Sequence, residues 1–177
     1  FYVYTFYMDT GYKKRIVDSQ LQRRLRVFGA ALVVGPKGCG KTTTAKEHAK
    51  SFIEFQDEDL RDNYLLIADT HPSDLLKGEK PRLFDEWQDA PKIWGAVRKS
   101  IDDEQKTGLY ILTGSSSNNV VTPHTGTLRI SRMKMLPMSL YESGDSNGEV
   151  SLIDLFNNPN VFPVCASNLT LGALKFV

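Results

Sequence analysis

Cysteine is scarce: Cys39 and Cys165 are the only two in 177 residues, too few to staple a framework with disulfides. Cys39 also falls inside a loop motif that needs it uncrosslinked, so a reducing, cytoplasmic compartment is expected. An excess of one charge is missing too. The 22 Lys and Arg residues against 21 Asp and Glu leave a formal charge of +1, which by itself demands neither nucleic acid nor an anionic membrane as partner. No apolar run approaches the roughly 18 residues of a membrane span. The opening segment from Phe1 to Met8 is apolar but short, and it lacks the basic start and small-residue cleavage site of a secretory signal. Residues 1–12 are read as a leader with no assigned role. His48, His71 and His124 stand far apart, with no cysteine or carboxylate at ligand spacing, which argues against zinc.

What is present is globular material, 41% hydrophobic and 24% charged, in a chain long enough for one domain with a sizeable core. Val17, Leu21, Leu25 and Phe28 recur at helical spacing between Lys13 and Phe28. The basic residues on the other faces of that helix, Lys13 to Arg26, are more simply a solvated surface than a nucleic-acid contact. Ala30-Ala31-Leu32-Val33-Val34 is a continuous apolar run, the signature of a strand buried on both faces. Gly35 to Gly40 interrupts it, and Lys41 to Lys50 resumes as a helix. Strands are expected at Phe52 to Phe55, Tyr64 to Ala68, Arg82 to Asp85, Gly108 to Thr113 and within Leu128 to Met135. Asp89 to Gln105 reads as a helix with Pro91 in its first turn and Ile93, Val97 and Ile101 on one stripe. Strands alternating with helices of this length predict an α/β fold with a mostly parallel sheet. A Gly- and Ser-containing loop at Ser143 to Gly148 marks a boundary, placing the main domain at 13–150 and the start of a C-terminal region, truncated here, at 151–177.

Gly35-Pro36-Lys37-Gly38-Cys39-Gly40-Lys41-Thr42 matches the phosphate-loop pattern G-x-x-x-x-G-K-[ST] at every fixed position, between an expected strand and an expected helix. Glycines let backbone N–H groups turn inward around an anion, and the helix N-terminus adds about half a positive charge. Lys41 would meet the outer phosphates as a point charge, and the Thr42 hydroxyl would sit on Mg²⁺, a cation that prefers oxygen ligands. Gly35 to Thr42, together with Thr43, are the nucleotide-binding candidates. Leu83-Phe84-Asp85-Glu86 supplies a second anchor: a strand end delivering two adjacent carboxylates. Asp85 suits Mg²⁺, and Glu86, pointing the other way, suits orienting and deprotonating a water. Leu109 to Leu112 leads into Thr113-Gly114-Ser115-Ser116, where a polar side chain can touch the γ-phosphate or that water. Ser115 is the first choice there and Thr113 the second. Cys39 stands at a variable loop position and is assigned to packing, as are Trp87 and Trp94. Ser115 to Ser117 lacks the G-x-S-x-G elbow of a serine hydrolase, and the sequon at Asn168 has no role in a cytosolic chain.

The phosphate loop followed by Pro81-Arg82-Leu83-Phe84-Asp85-Glu86-Trp87-Gln88-Asp89-Ala90-Pro91 resembles a group of prokaryotic ATP-binding proteins of the AAA+ superfamily. Leu112 to Ser116 and Arg129-Ile130 leading to Leu136-Pro137-Met138-Ser139-Leu140-Tyr141-Glu142 extend the resemblance, which covers roughly Gly11 to Leu155. Its most specific part is Asp-Glu-Trp-Gln. The resemblance implies a P-loop NTPase fold of the AAA+/ASCE type, a mostly parallel sheet flanked by helices on both faces. It implies ATP and Mg²⁺ as ligands, with Lys41, Glu86, Ser115 and Arg129 as the catalytic group and Thr42 and Asp85 on the metal. In that family a winged helix and a restriction-nuclease-like domain follow; Asn157-Asn158-Pro159-Asn160 onward reads as a broken-off start of such a region. The family's Gly-Arg dipeptide is here Leu128-Arg129, with the Arg present and the Gly absent. Arg129 or Arg132 then either stabilises transition-state charge, within the chain or across a subunit contact, or serves as a surface ion-pair residue.

These readings lead to Mg²⁺-dependent ATP binding and hydrolysis that switches or drives an attached or partner domain, with nucleic acid, a partner protein or a second copy of the chain as partners and no membrane. Two alternatives stand beside it. A small-molecule kinase would use Arg129 and Arg132 as lid arginines, although adjacent Asp and Glu suit water better than a bound hydroxyl. A nucleotide switch would bind ATP with negligible turnover. Preference for ATP rests on the resemblance and on the lack of a guanine-reading Asn-Lys-x-Asp in the chain.

Overall fold

Ala30-Ala31-Leu32-Val33-Val34 is apolar at every position because the strand it forms, β1 (Ala30–Gly35), is covered on both faces. The structure, a computed structural model, describes residues 11–115, 128–146, 148–158 and 160. The readings on Phe1 to Met8, Ser116, Ser117, His124, Cys165 and Asn168 lie outside the described residues. With β1 run β2 (Ser51–Glu54), β3 (Arg82–Asp85), β4 (Tyr110–Ser115) and β5 (Ile130–Lys134), all parallel, in the order β2-β3-β4-β1-β5. Thus β4 separates the phosphate-loop strand from the Asp85 strand.

Side chains alternate between the two faces of a strand, and each face recruits its own helices. Ala31, Val33, Leu83, Ile111 and Met133 point to the side of α1 (Ile16–Val27) and α2 (Lys41–His48), where Leu21 and Ala45 meet them. Leu32, Phe84 and Leu112 point to the side of α3 (Arg61–Thr70), α4 (Pro72–Leu75) and α5 (Lys92–Glu104), where Ala68, Leu75, Ile93 and Val97 pack. Phe55, Phe84 and Tyr110 form an aromatic row on that face, with ring centroids 6.3 and 5.9 Å apart. Trp87 and Trp94 are both buried, their rings 4.9 Å apart, so both pack as expected. The result is the expected α/β architecture, a parallel sheet with helices on both faces.

One element departs from expectation. Tyr64 to Ala68 is not a strand but the middle of α3. A short apolar run cannot by itself be told from a buried helix segment. The deciding signal lies upstream, where Asp57 Oδ1 accepts the N–H groups of Asp59 at 3.0 Å and Leu60 at 3.3 Å, and the Arg61 N–H reaches Asp57 O at 2.8 Å. That turn starts the helix. Tyr64, Leu65, Ile67 and Ala68 then face the core while Leu66 stays 64% exposed.

The chain divides into two compact units, residues 16–137, which carry the sheet, and a second unit of residues 1–15 with 138–177. Among the described residues of the second unit, Arg15 and Glu142 form an ion pair at 3.0 Å. Its short α6 (Leu140–Ser143) starts with a reciprocal capping box between Ser139 and Glu142, and α7 (Leu152–Asn157) follows Ser151 as N-cap. No helix among the described residues is long and apolar enough to cross a membrane.

Candidate functional site

The phosphate loop leaves β1 at Gly35, and its glycines are there for stated reasons. Gly38 and Gly40 take the left-handed backbone, φ 78° and 92°, that a side chain disfavours. Gly35 is needed for space: a Cβ there would lie 2.3 Å from the Met135 carbonyl oxygen and 2.9 Å from Cys39 Sγ. Because the nearer obstacle is backbone, Gly35→Ala is expected to cost about 1–3 kcal/mol of stability, as overpacking does. Thermal unfolding checks this; an unchanged midpoint would refute the crowding argument.

Beyond the loop, α2 begins at Lys41 with Gly40 as its N-cap and no side-chain cap. The N–H groups of Lys41, Thr42 and Thr43 precede its first helical hydrogen bond, from the Thr44 N–H to Gly40 O at 3.0 Å, and this is the part of a helix that suits an anion. Lys41 is only 5% exposed, and its ammonium donates across the loop to Pro36 O at 3.1 Å. Cys39 is buried with Sγ 3.8 Å from Met135 O, a packing position, while Lys37 and Thr43 are exposed.

The register of the sheet brings the acid to the loop. Leu83 lies opposite Ile111, so two residues on, Asp85 and Thr113 share a face, the one that α2 covers. The Thr113 hydroxyl donates to Asp85 Oδ1 at 2.5 Å, and the Thr42 hydroxyl, from the first turn of α2, donates to the same oxygen at 2.8 Å. Asp85 is 7% exposed, and burial pushes its carboxyl above the ordinary carboxylate range. The two hydroxyls counter that rise, and the neighbouring charges of Glu86 and Glu54 add to it. A buried carboxylate with hydroxyl partners and no ion pair among the described residues is a hard-oxygen donor set that fits a divalent cation.

Glu86 follows directly and holds a left-handed backbone at φ 53°, ψ 49°. For a non-glycine residue that costs on the order of 1–3 kcal/mol and persists only where the surroundings impose it. They do: the Glu86 N–H donates to Thr113 Oγ1 at 3.1 Å, and the Glu86 carboxylate accepts from the Gln88 amide. The turn aims Glu86 away from Asp85, which is how neighbouring acids come to occupy different surroundings.

Lys41, Thr42, Asp85 and Glu86 are therefore gathered at the C-terminal ends of β1 and β3. Ser115, the first choice for the polar sensor, ends β4 in register with Gly35 at the start of the loop. Thr113, the second choice, is the residue that touches both Asp85 and Glu86. The in-chain role expected of Arg129 needs correction. Parallel β5 starts at Ile130 opposite Ala30, so Arg129 stands at the N-terminal end of the sheet, away from the loop. There its guanidinium pairs with Asp102 of α5. Arg132 is exposed in mid-strand, opposite Leu32. Sequence reasoning passed over Gln88 and Gly114; the only signal was Gln88's place in the Asp-Glu-Trp-Gln segment.

A family model described as "AAA domain" matches residues 28–144. Among solved structures the chain is similar to one described as "Structure of C. elegans PCH-2", at 14% identity and a TM-score of 0.43, over 77% of this chain and 49% of that one. It thus spans about half the length of that relative. No protein of curated function matches.

Proposed function

The chain belongs to the AAA domain family, and from that premise we propose that it is a Mg²⁺-dependent ATPase. The observation that carries the proposal is the meeting of Thr42, Asp85 and Thr113 on one carboxylate oxygen beside the phosphate loop. Lys41 and the first-turn N–H groups of α2 bind the phosphates. Thr42 and Asp85 would hold Mg²⁺, whose charge, when bound, is what neutralises the phosphate oxygens. Glu86 orients a water and takes its proton, and Ser115, in register with Gly35, is the polar sensor for the γ-phosphate or that water. Hydrolysis then switches or drives an attached or partner domain. That wider role, with a second copy of the chain among the partners, rests on the resemblance of Asp-Glu-Trp-Gln and its flanks. The cytoplasmic setting rests on an uncrosslinked Cys39, and the division into an ATPase domain at 13–150 and a following region at 151–177 rests on the loop from Ser143 to Gly148.

A second reading has its own support. Because Arg129 is paired with Asp102 at the far end of the sheet, an arginine for the transition state would have to come from elsewhere, such as a neighbouring subunit. An isolated chain would then bind ATP and turn over slowly, as a switch.

The test is phosphate release from ATP with Mg²⁺, run in parallel with ATP binding and repeated with a chelator. We expect binding, and release that stops when the metal is removed. Tight binding with no release selects the switch. Release of ADP that rises well above the water rate only with a hydroxyl acceptor selects a kinase. Absence of binding overturns all three.

A further inference from the structure

Gln88 lies in the 3-10 turn Trp87–Asp89 that follows β3. Its Nε2 donates to Glu86 Oε2, while its Oε1 is buried and has no hydrogen-bond partner among the described residues. An amide carbonyl left unpaired in the interior keeps the full penalty of losing its water. Packing does not require that cost, since an apolar side chain of the same length would fill the space. Turning the amide over gives no relief, because its carbonyl would then face a carboxylate. The fold even makes room for it: a Cβ on Gly114 would come within 2.9 Å of Gln88 Oε1 and 3.3 Å of Trp87 Nε1. Glu86 is thereby held at both ends, its backbone N–H on Thr113 and its carboxylate on Gln88. The amide engages one oxygen of the carboxylate, Oε2, and not the other, Oε1.

We infer that Gln88 is a positioning residue for Glu86: its amide fixes the carboxylate so that the other oxygen meets the attacking water. The inference rests on the reading of Glu86 as the base. It accounts for an unpaired carbonyl that stability alone would select against, and for the glycine that accommodates it.

A double-mutant cycle tests it, with turnover at saturating ATP and Mg²⁺ and ATP binding measured for each protein. Glu86→Gln should lower kcat about a hundredfold, the scale of a lost general base. Gln88→Met, which keeps length and removes the donor, should lower kcat about tenfold while KM and ATP affinity stay within about twofold. The double variant should turn over no more slowly than Glu86→Gln alone, because residues acting as a unit are non-additive. Gln88→Glu, isosteric and without the donor, should fall at least as far as Gln88→Met, and it carries the test if Gln88→Met does not fold. Wild-type kcat in a donorless variant overturns the inference. So does a double variant a further tenfold slower than Glu86→Gln, since independent losses mean a merely structural role. Undiminished turnover in Glu86→Gln itself is a different result: it removes the base, and the inference with it.

Discussion

Lys41→Ala should abolish ATP binding and turnover together, with affinity reduced more than about a hundredfold and turnover about a thousandfold. Lys41 is buried in the loop, and its ammonium is held by a neutral carbonyl, that of Pro36. A charge so placed is held ready for an anion. Charge-assisted hydrogen bonds contribute about 1.5–3 kcal/mol each, and the hundredfold loss corresponds to about 2.7 kcal/mol, within reach of one or two of them. Calorimetric titration with ATP and a phosphate-release assay read the two quantities separately. The fold should persist, because the core on this side is built from Leu21, Ala45, Ile111 and their neighbours rather than from the lysine. A folded variant with turnover within tenfold of the parent would show that the loop is not the phosphate site.

Asp85→Asn should lower turnover about a thousandfold and yet leave the metal-free protein as stable as the parent, or more so. Both hydroxyls, from Thr42 and Thr113, donate to Oδ1, and an asparagine carbonyl can accept both in its place. What the substitution removes is a buried negative charge. Burial raises the Asp85 pKa, so the folded protein holds that proton more tightly than the unfolded chain does. Between the ordinary value of 3.8 and the raised one, this group therefore makes stability fall as pH rises. The cost is fully present above the raised value, which is where Asp85→Asn should gain most over the parent. The gain should shrink as pH falls through that window and vanish below the ordinary carboxylate range. Mg²⁺ should reverse the order by stabilising the parent alone. Thermal unfolding against pH, with and without Mg²⁺, checks the sign; a variant less stable than the parent at neutral pH without metal would show that the carboxylate is structural.

These expectations differ in how much of them could be read along the chain. Everything carried by local spacing was legible. The phosphate loop is eight consecutive residues between a buried strand and a helix, and Asp85 ends an apolar strand. Pro91 and the Ile93, Val97, Ile101 stripe announce α5, and the observed helix starts at Lys92. The misread element, α3, is a short apolar run whose period is ambiguous and whose start depends on a hydrogen-bonded turn at Asp57. The site's finer assignments depended on contacts between segments far apart in sequence.

Three placements at or around the site were decided by register and backbone conformation. Insertion of β4 between β1 and β3 is what puts Thr113 against Asp85, 28 residues away, and makes it rather than Ser115 the hydroxyl at the acid. The left-handed turn at Glu86 separates two adjacent carboxylates and delivers one of them to Gln88. The parallel register of β5 carries Arg129 to the end of the sheet away from the loop. The sequence alone thus determined the fold class and the candidate phosphate and metal groups, because hydrophobic period and loop motif are properties of neighbouring residues. Which side chains surround those groups was left to the tertiary structure, since a shift of one residue in strand register turns a side chain to the opposite face.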